Sequence, residues 1–183
     1  MKYFVTGATG FVGGRVAQQL GAAGHEVLAL VRNPAQATHL KELGIQLAPG
    51  DVTNKESMRD PMSGCDAVFH IAGWYKIGVK DSSPGVQINL NGTRNVLELM
   101  QELQIKKGVY TSTLAVNSNT HGAIRDESYH FRGEHVSEYD RTKALAHDIA
   151  LQFIAQGLGL IIVQPGLVSV SYTHLRAHET DSY

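Results

Sequence analysis

Short apolar stretches recur six times along the chain, and longer stretches of mixed polarity separate them. Apolar runs of this length are typical of strands that are buried on both faces of a parallel sheet. They predict strands at residues 2–6, 26–31, 45–48, 66–71, 107–111 and 159–164. Between them, apolar residues spaced three and four apart predict helices at about 11–23, 33–43, 54–63, 84–103 and 137–155.

The regular alternation of strands and helices indicates an α/β fold with a doubly wound parallel sheet and right-handed crossovers. We expect the strand order 3-2-1-4-5-6, with ligands bound beyond the carboxyl ends of the strands where the order reverses. The loops at 72–83 and 114–136 are expected to be irregular. Since neither a repeat nor a low-complexity linker interrupts the pattern, we expect one domain over residues 1–168.

Three glycines follow the first strand, and they carry the first chemical signal. Gly7, Gly10 and Gly13 have the spacing G-x-x-G-x-x-G and lead into the first helix. In a dinucleotide site the first glycine permits a tight turn, the second admits the pyrophosphate, and the third lets the helix pack closely. The amino end of the helix then offers N–H groups and a positive dipole to phosphate. An ordinary glycine-rich turn is the alternative, but the position after the first strand favours nucleotide binding.

Composition narrows the class of protein. A net charge of -1 with 18% charged residues gives no electrostatic reason to expect nucleic acid or an anionic membrane as a partner. Cys65 is alone, which excludes an internal disulfide and a cysteine-based metal site. Since the first strand starts at Lys2 and no apolar run approaches ~20 residues, we expect a cytoplasmic protein without a signal peptide or membrane span.

Six motifs together resemble one family. They are Thr6-Gly-Ala-Thr-Gly-Phe-Val-Gly13, Gly50-Asp51-Val52, His70-Ile-Ala-Gly73, Asn89-Leu-Asn-Gly-Thr93, Tyr110-Thr-Ser-Thr113 and Tyr139-Asp-Arg-Thr-Lys143. In this order the chain resembles the extended short-chain dehydrogenases/reductases, the NAD(P)-dependent epimerase/dehydratase family, and most of all its dihydroflavonol-reductase-like members. The resemblance covers residues 1–168 and implies a Rossmann fold.

Past residues 164–168 the family would continue through a Tyr-Gly-Pro turn into a C-terminal substrate domain. From Ser169 onward this sequence departs from that pattern, so we expect the substrate domain to be missing. Residues 169–183 have no periodicity, and we expect a non-native or disordered tail there. His174 and His178 are spaced as two ligands on a helix, but without an apparent third ligand we expect no metal site. Resemblance also implies a possible homodimer through the helices at 84–103 and 137–155.

The candidate catalytic residues are Thr113, Tyr139 and Lys143. Tyr139 and Lys143 are one helical turn apart, so their side chains share a face, and a nearby ammonium would stabilise the ionised form of the phenol. A solvated helix face is the alternative. The resemblance implies that Tyr139 exchanges a proton with the substrate oxygen and that Lys143 also holds the nicotinamide ribose. It assigns the hydroxyl that binds the reacting carbonyl to Thr113, with Ser112 as the alternative.

The choice of cofactor depends on Arg32, which ends the second strand where NAD-binding proteins carry an acidic residue for the ribose 2′-hydroxyl. An arginine there can pair with the 2′-phosphate of NADP. We therefore expect NADP, with NAD possible; a solvent-facing surface arginine is the alternative. The resemblance implies the remaining cofactor-binding residues, namely Gly7, Thr9, Gly10, Phe11, Val12, Gly13, Asp51, Val52, Ala72, Gly73, Tyr139, Lys143, Pro165 and Val168.

Four further residues have alternative interpretations. His70 ends the fourth strand and is expected to be a hydrogen-bonded structural residue rather than a catalyst. Asn89 matches a family position near the active site, but it could be structural. Trp74 and Tyr75 are candidates for the lining of a substrate pocket, with a packed loop as the alternative.

The same residues distinguish among reactions. Family dehydratases follow the catalytic threonine with an acidic pair, whereas Leu114 and Ala115 follow Thr113 here. Sugar epimerases mostly use NAD, which does not fit Arg32. We predict hydride transfer from NADPH to a ketone or aldehyde of a small molecule, with Tyr139 as the proton donor. The alternatives are an NAD-dependent nucleotide-sugar epimerase and a non-catalytic NADP-sensing protein, and a truncated chain could bind cofactor without turnover.

Overall fold

A six-stranded parallel sheet forms the centre of the computed structural model, which describes residues 1–76, 78 and 81–169. The strand order is β3-β2-β1-β4-β5-β6, so the predicted doubly wound Rossmann topology is confirmed. The strands are β1 (Lys2–Thr6), β2 (Glu26–Val31), β3 (Gln46–Pro49), β4 (Ala67–His70), β5 (Gly108–Thr111) and β6 (Leu160–Val163). The predicted tail at 169–183, apart from Ser169, lies outside the described residues.

Helices cover both faces of this sheet. They are α1 (Phe11–Ala22), α2 (Thr38–Glu42), α3 (Lys55–Met62), α4 (Ser83–Gly85), α5 (Thr93–Glu102) and α6 (Glu138–Ala155). Neighbouring residues of β1 point to opposite faces, so Phe4 lies in the apolar core beneath α3, α5 and α6, while Val5 lies in the core beneath α1 and α2. Within the described residues no helix is long and apolar enough to cross a membrane.

Two helices differ from the prediction. The helix expected at 33–43 is divided into a 3-10 turn at Pro34–Gln36 and the short α2, because Ala37 leaves the helical conformation at φ -114° and ψ 23°. The helix expected at 84–103 is continuous from α4 to α5, but its middle segment, Val86–Gly92, is a π-helix. Such wide turns are frequent at functional sites.

Close packing accompanies the π-helix on both sides. A Cβ added to Gly85 would lie 2.9 Å from the ring of Trp74, and one added to Gly92 would lie 2.9 Å from Cγ2 of Val52. The helix therefore passes close to the loops that follow β3 and β4. As a result it forms one wall at the carboxyl edge of the sheet.

Candidate active site

The glycine turn has no room for a Cβ at Gly7 or Gly13. Gly7 has a φ of +73°, and a Cβ there would lie 2.6 Å from the backbone nitrogen of Ala72. A Cβ on Gly13 would overlap the carbonyl oxygen of Gly7. Gly10 caps α1 and donates its N–H to the Gly7 carbonyl at 3.0 Å. The turn thus brings Ala72, two residues past β4, against the backbone of Gly7, and the helix that follows has the amino end that a pyrophosphate site uses. Of the other predicted residues here, Thr9 and Phe11 are exposed and Val12 is half-buried.

A second part of the edge joins the ends of β2 and β3. One pocket of about 300 Å³ is lined by Arg32, Gly50, Asp51, Asn54 and Ser57. It brings together two predicted cofactor-binding residues, Arg32 and Asp51. The Asp51 carboxylate accepts hydrogen bonds from the backbone N–H and the hydroxyl of Thr53, both at 2.8 Å.

The neighbouring Val52 is buried, and its carbonyl accepts a hydrogen bond of 2.8 Å from the Asn95 amide in α5. Asn54 caps α3 by accepting from the backbone N–H of Ser57. The pocket is therefore built on backbone that is fixed by hydrogen bonds on both sides.

Asn89 holds the loop after β4 against the long helix. Its side chain accepts from the backbone N–H of Trp74 at 2.7 Å and donates to the Trp74 carbonyl at 3.1 Å. It also donates to the Thr142 hydroxyl of α6 at 3.0 Å. Because a Cβ on Gly73 would lie 3.5 Å from Asn89 Oδ1 and 3.9 Å from Lys143 Nζ, the loop reaches the candidate catalytic helix here.

The structure brings Thr113 and Tyr139 together although 25 residues separate them in the sequence. The Thr113 hydroxyl lies close enough to the phenol to lower the pKa of Tyr139. Burial acts more strongly, so the pKa of the phenol is raised overall. Ser112, the alternative to Thr113, is buried and paired through its hydroxyl with Nδ1 of His147 at 2.8 Å. The geometry therefore favours Thr113 as the hydroxyl beside Tyr139.

Lys143 is 5% exposed, and its ammonium faces β5. Its Nζ donates to the Thr111 carbonyl at 2.8 Å and to the Tyr110 hydroxyl at 3.2 Å. Burial lowers the pKa of Lys143 to about 8. The pKa of Tyr139 is shifted by burial, Thr113, Tyr75 and Asp140, and the stabilisation of the ionised phenol that was expected from Lys143 is not among these causes. The direction of the Lys143 side chain explains the difference, because its described hydrogen bonds are made to the sheet.

The remaining predicted residues flank this centre. The Tyr75 ring is exposed and stands edge-on to Tyr139 at 4.8 Å, whereas Trp74 is buried as part of a packed loop. Pro165 accepts a hydrogen bond from the Leu114 N–H at 3.1 Å, and Val168 is half exposed. Sequence reasoning missed Tyr110 as a partner of Lys143, and its only signal was a polar ring in a buried strand.

Comparison with known proteins identifies the family of this chain. The model of the NAD dependent epimerase/dehydratase family matches residues 3–177. A Synechocystis protein, provisionally named dihydroflavonol 4-reductase, is 36% identical over 165 residues, which are 89% of this chain and 48% of that protein. A 2-alkyl-3-oxoalkanoate reductase of Shewanella oneidensis is 36% identical over 150 residues, covering 81% of this chain and 38% of the relative. The chain thus spans about half, or less, of the length of these relatives.

The fold has solved counterparts. The structure of a UDP-glucose-4-epimerase from Stenotrophomonas maltophila with bound NAD and formylated UDP-arabinopyranose superposes with a TM-score of 0.78. The match covers 90% of this chain and 52% of that one at 21% identity, so it shows a shared fold. With the sequence relatives and the match to the family model, the conclusion is direct: this chain belongs to the NAD dependent epimerase/dehydratase family.

Proposed function

We propose that this chain binds NADP(H) along the carboxyl edge of its sheet and reduces the ketone or aldehyde group of a small molecule. The observation that carries the proposal is the proximity of the Thr113 hydroxyl to the Tyr139 phenol, whose pKa it lowers, on the same helix as a buried Lys143. An acid, a hydroxyl that orients a carbonyl, and a cation are the groups that such a reduction requires from the protein.

Each end of the proposed cofactor site has residues suited to it. The turn from Gly7 to Gly13 would take the pyrophosphate, since its glycines permit a tight turn into the amino end of α1. The pocket at Arg32 and Asp51 would take the adenosine, with the guanidinium pairing with the 2′-phosphate of NADP. Gly73 leaves space in front of Lys143, where the nicotinamide ribose would bind. When bound, the reduced nicotinamide supplies the hydride.

The protein then handles the proton and the carbonyl. Because burial raises the pKa of Tyr139, the phenol stays protonated at neutral pH, which is the state that a proton donor needs. The Thr113 hydroxyl would orient the substrate oxygen toward it. Below about pH 8 the Lys143 ammonium adds positive charge where negative charge develops on the substrate oxygen. The substrate oxygen would therefore meet Tyr139 and Thr113 together.

The test compares Tyr139→Phe with the control Tyr3→Phe, which also removes one phenol hydroxyl. The described hydrogen bond of the Tyr3 hydroxyl is made to Sδ of Met1, far along the sequence from the candidate catalytic residues. NADPH oxidation is followed with a panel of ketones and aldehydes, and NADPH binding is measured by fluorescence. We expect Tyr139→Phe to reduce turnover by about 10²- to 10⁴-fold without changing NADPH affinity, while Tyr3→Phe behaves as wild type.

Turnover retained in Tyr139→Phe would contradict the proposed role. NADPH binding by the wild-type chain without oxidation by any carbonyl compound would instead favour the non-catalytic alternative. Conversion of a nucleotide sugar with NAD, and no net oxidation of NADPH, would favour the epimerase.

A further inference from the structure

A series of buried hydrogen bonds adjoins Lys143. Tyr110, His70 and Thr93 are each at most 1% exposed. Thr93 of α5 contacts Nε2 of His70 at 3.0 Å, and its hydroxyl is near enough to the Tyr110 phenol to lower the pKa of that group, which burial raises overall. The rings of His70 and Tyr110 stack with centroids 5.5 Å apart. The series continues to Thr6, whose hydroxyl lies 2.8 Å from Nδ1 of His70.

Counting the hydrogen bonds that the Thr6 hydroxyl accepts shows which groups in this series donate and which accept. The Thr6 hydroxyl accepts from the backbone N–H groups of Ile71 and Ala72, both at 3.1 Å, which occupies its two lone pairs. Its own proton must therefore be donated to Nδ1 of His70. Burial, assisted by the charge of Lys143, lowers the pKa of His70 to about 3, so the ring is neutral and its proton is on Nε2. Nε2–H then donates to the Thr93 hydroxyl.

The other end of the series is fixed by Lys143. An ammonium has donors only, so the Tyr110 oxygen must accept from it, and the phenol proton is available to Thr93. The ammonium also lies 4.8 Å from the centre of the Tyr110 ring, over its face. Two of its three N–H groups are used by Tyr110 and by the Thr111 carbonyl. The position of Nζ beside Gly73 thus depends on the Tyr110 side chain.

We propose that Tyr110 is a positioning residue for Lys143, and that Thr93 and His70 hold the Tyr110 hydroxyl in the orientation that accepts from the ammonium. This inference rests on the proposed function, because it assigns Tyr110 a role only through Lys143. The series of hydrogen bonds also links the glycine turn to the candidate catalytic residues, since one of its ends is Thr6, immediately before that turn.

The test is the titration of Lys143 in the full chain without cofactor or substrate, followed by NMR of the lysine Cε and Nζ atoms and assigned with Lys143→Met. The titratable groups around Lys143 are Tyr110 of β5, His70 of β4, and Tyr139 and His147 of its own helix. Tyr110→Phe keeps the ring and removes the acceptor, so we expect the pKa of Lys143 to fall by about one pH unit.

Thr93→Val leaves Lys143 untouched but removes the partner of the phenol proton, and we expect a smaller fall in the pKa of Lys143. Tyr3→Phe is the control and should leave the titration unchanged. A purely structural role for Tyr110 would lower the melting temperature of Tyr110→Phe without moving the titration, and that result would overturn the proposal. If Tyr110→Phe does not fold, an unchanged titration in Thr93→Val overturns it.

The titration separates this inference from the proposed function. Since no cofactor, substrate or turnover is involved, a shifted pKa in an inactive chain supports the role of Tyr110 and contradicts only the reductase. An unshifted pKa of Lys143 in a Tyr110→Phe variant of an active enzyme contradicts the role of Tyr110 and leaves the proposed reductase activity standing.

Discussion

Replacing Lys143 by Met should make the stability of the protein less dependent on pH. The pKa of Lys143 falls from the usual 10.5 to about 8 on burial. At about 1.4 kcal/mol per pH unit, charging this side chain inside the fold opposes folding by about 3 kcal/mol at pH 7. The sign follows from proton binding: between pH 8 and pH 10.5 the unfolded chain holds more protons than the folded one, so the penalty fades as pH rises.

Urea unfolding of wild type and Lys143→Met at pH 7 and pH 10 measures this effect. Effects of the substitution that do not depend on the charge of the side chain, such as lost packing of its alkyl part, are the same at both pH values and cancel in the comparison. We expect the stability of Lys143→Met relative to wild type to be greater at pH 7 by about 2.5 kcal/mol than at pH 10. Lys106→Met removes an exposed lysine and controls for net charge. A difference below about 1 kcal/mol would refute the argument from burial.

Three further outcomes are expected. Gly13→Ala should weaken NADPH binding at least tenfold, because its Cβ would overlap the Gly7 carbonyl, whereas Gly21→Ala, in an open part of α1, should bind normally in the same fluorescence titration. Arg32→Glu should weaken NADPH binding by about tenfold and spare NADH; equal losses for both would contradict the 2′-phosphate assignment. Because the pKa of His70 is lowered in the fold, acid should destabilise the protein as pH falls below about 6.5, and urea unfolding should show a smaller loss in His70→Gln.

The sequence predicted the sheet because its signal is local. Each strand is a short apolar run, and the glycine turn identifies the strand from which the order reverses, so the topology followed from general rules of parallel sheets. The π-helix at Val86–Gly92 was not predictable in this way. Apolar spacing does not distinguish a wide turn from an α-helical one, and the hydrogen bonds of Asn89 to the Trp74 backbone depend on a loop whose path the pattern does not specify.

Candidate site residues could be named from the sequence, but the contacts between them could not. The spacing of Tyr139 and Lys143 correctly placed both on one helix, α6. The hydrogen bond from Lys143 to Tyr110 depends on how α6 packs against β5. No local sequence pattern specifies that packing. The resemblance already assigned Thr113 ahead of Ser112, but the pairing of Ser112 with His147, 35 residues away, is seen only in the structure.

The central claim is that the carboxyl edge of the sheet holds NADP(H). The most direct test is a fluorescence titration of the 183-residue chain with NADPH and with NADH. We expect saturable binding of both nucleotides. NADPH should bind more tightly, because the guanidinium of Arg32 would pair with the 2′-phosphate that NADH lacks. Tighter binding of NADH would contradict the role of Arg32 and favour the epimerase. A folded chain that binds neither nucleotide would contradict the proposed cofactor site altogether.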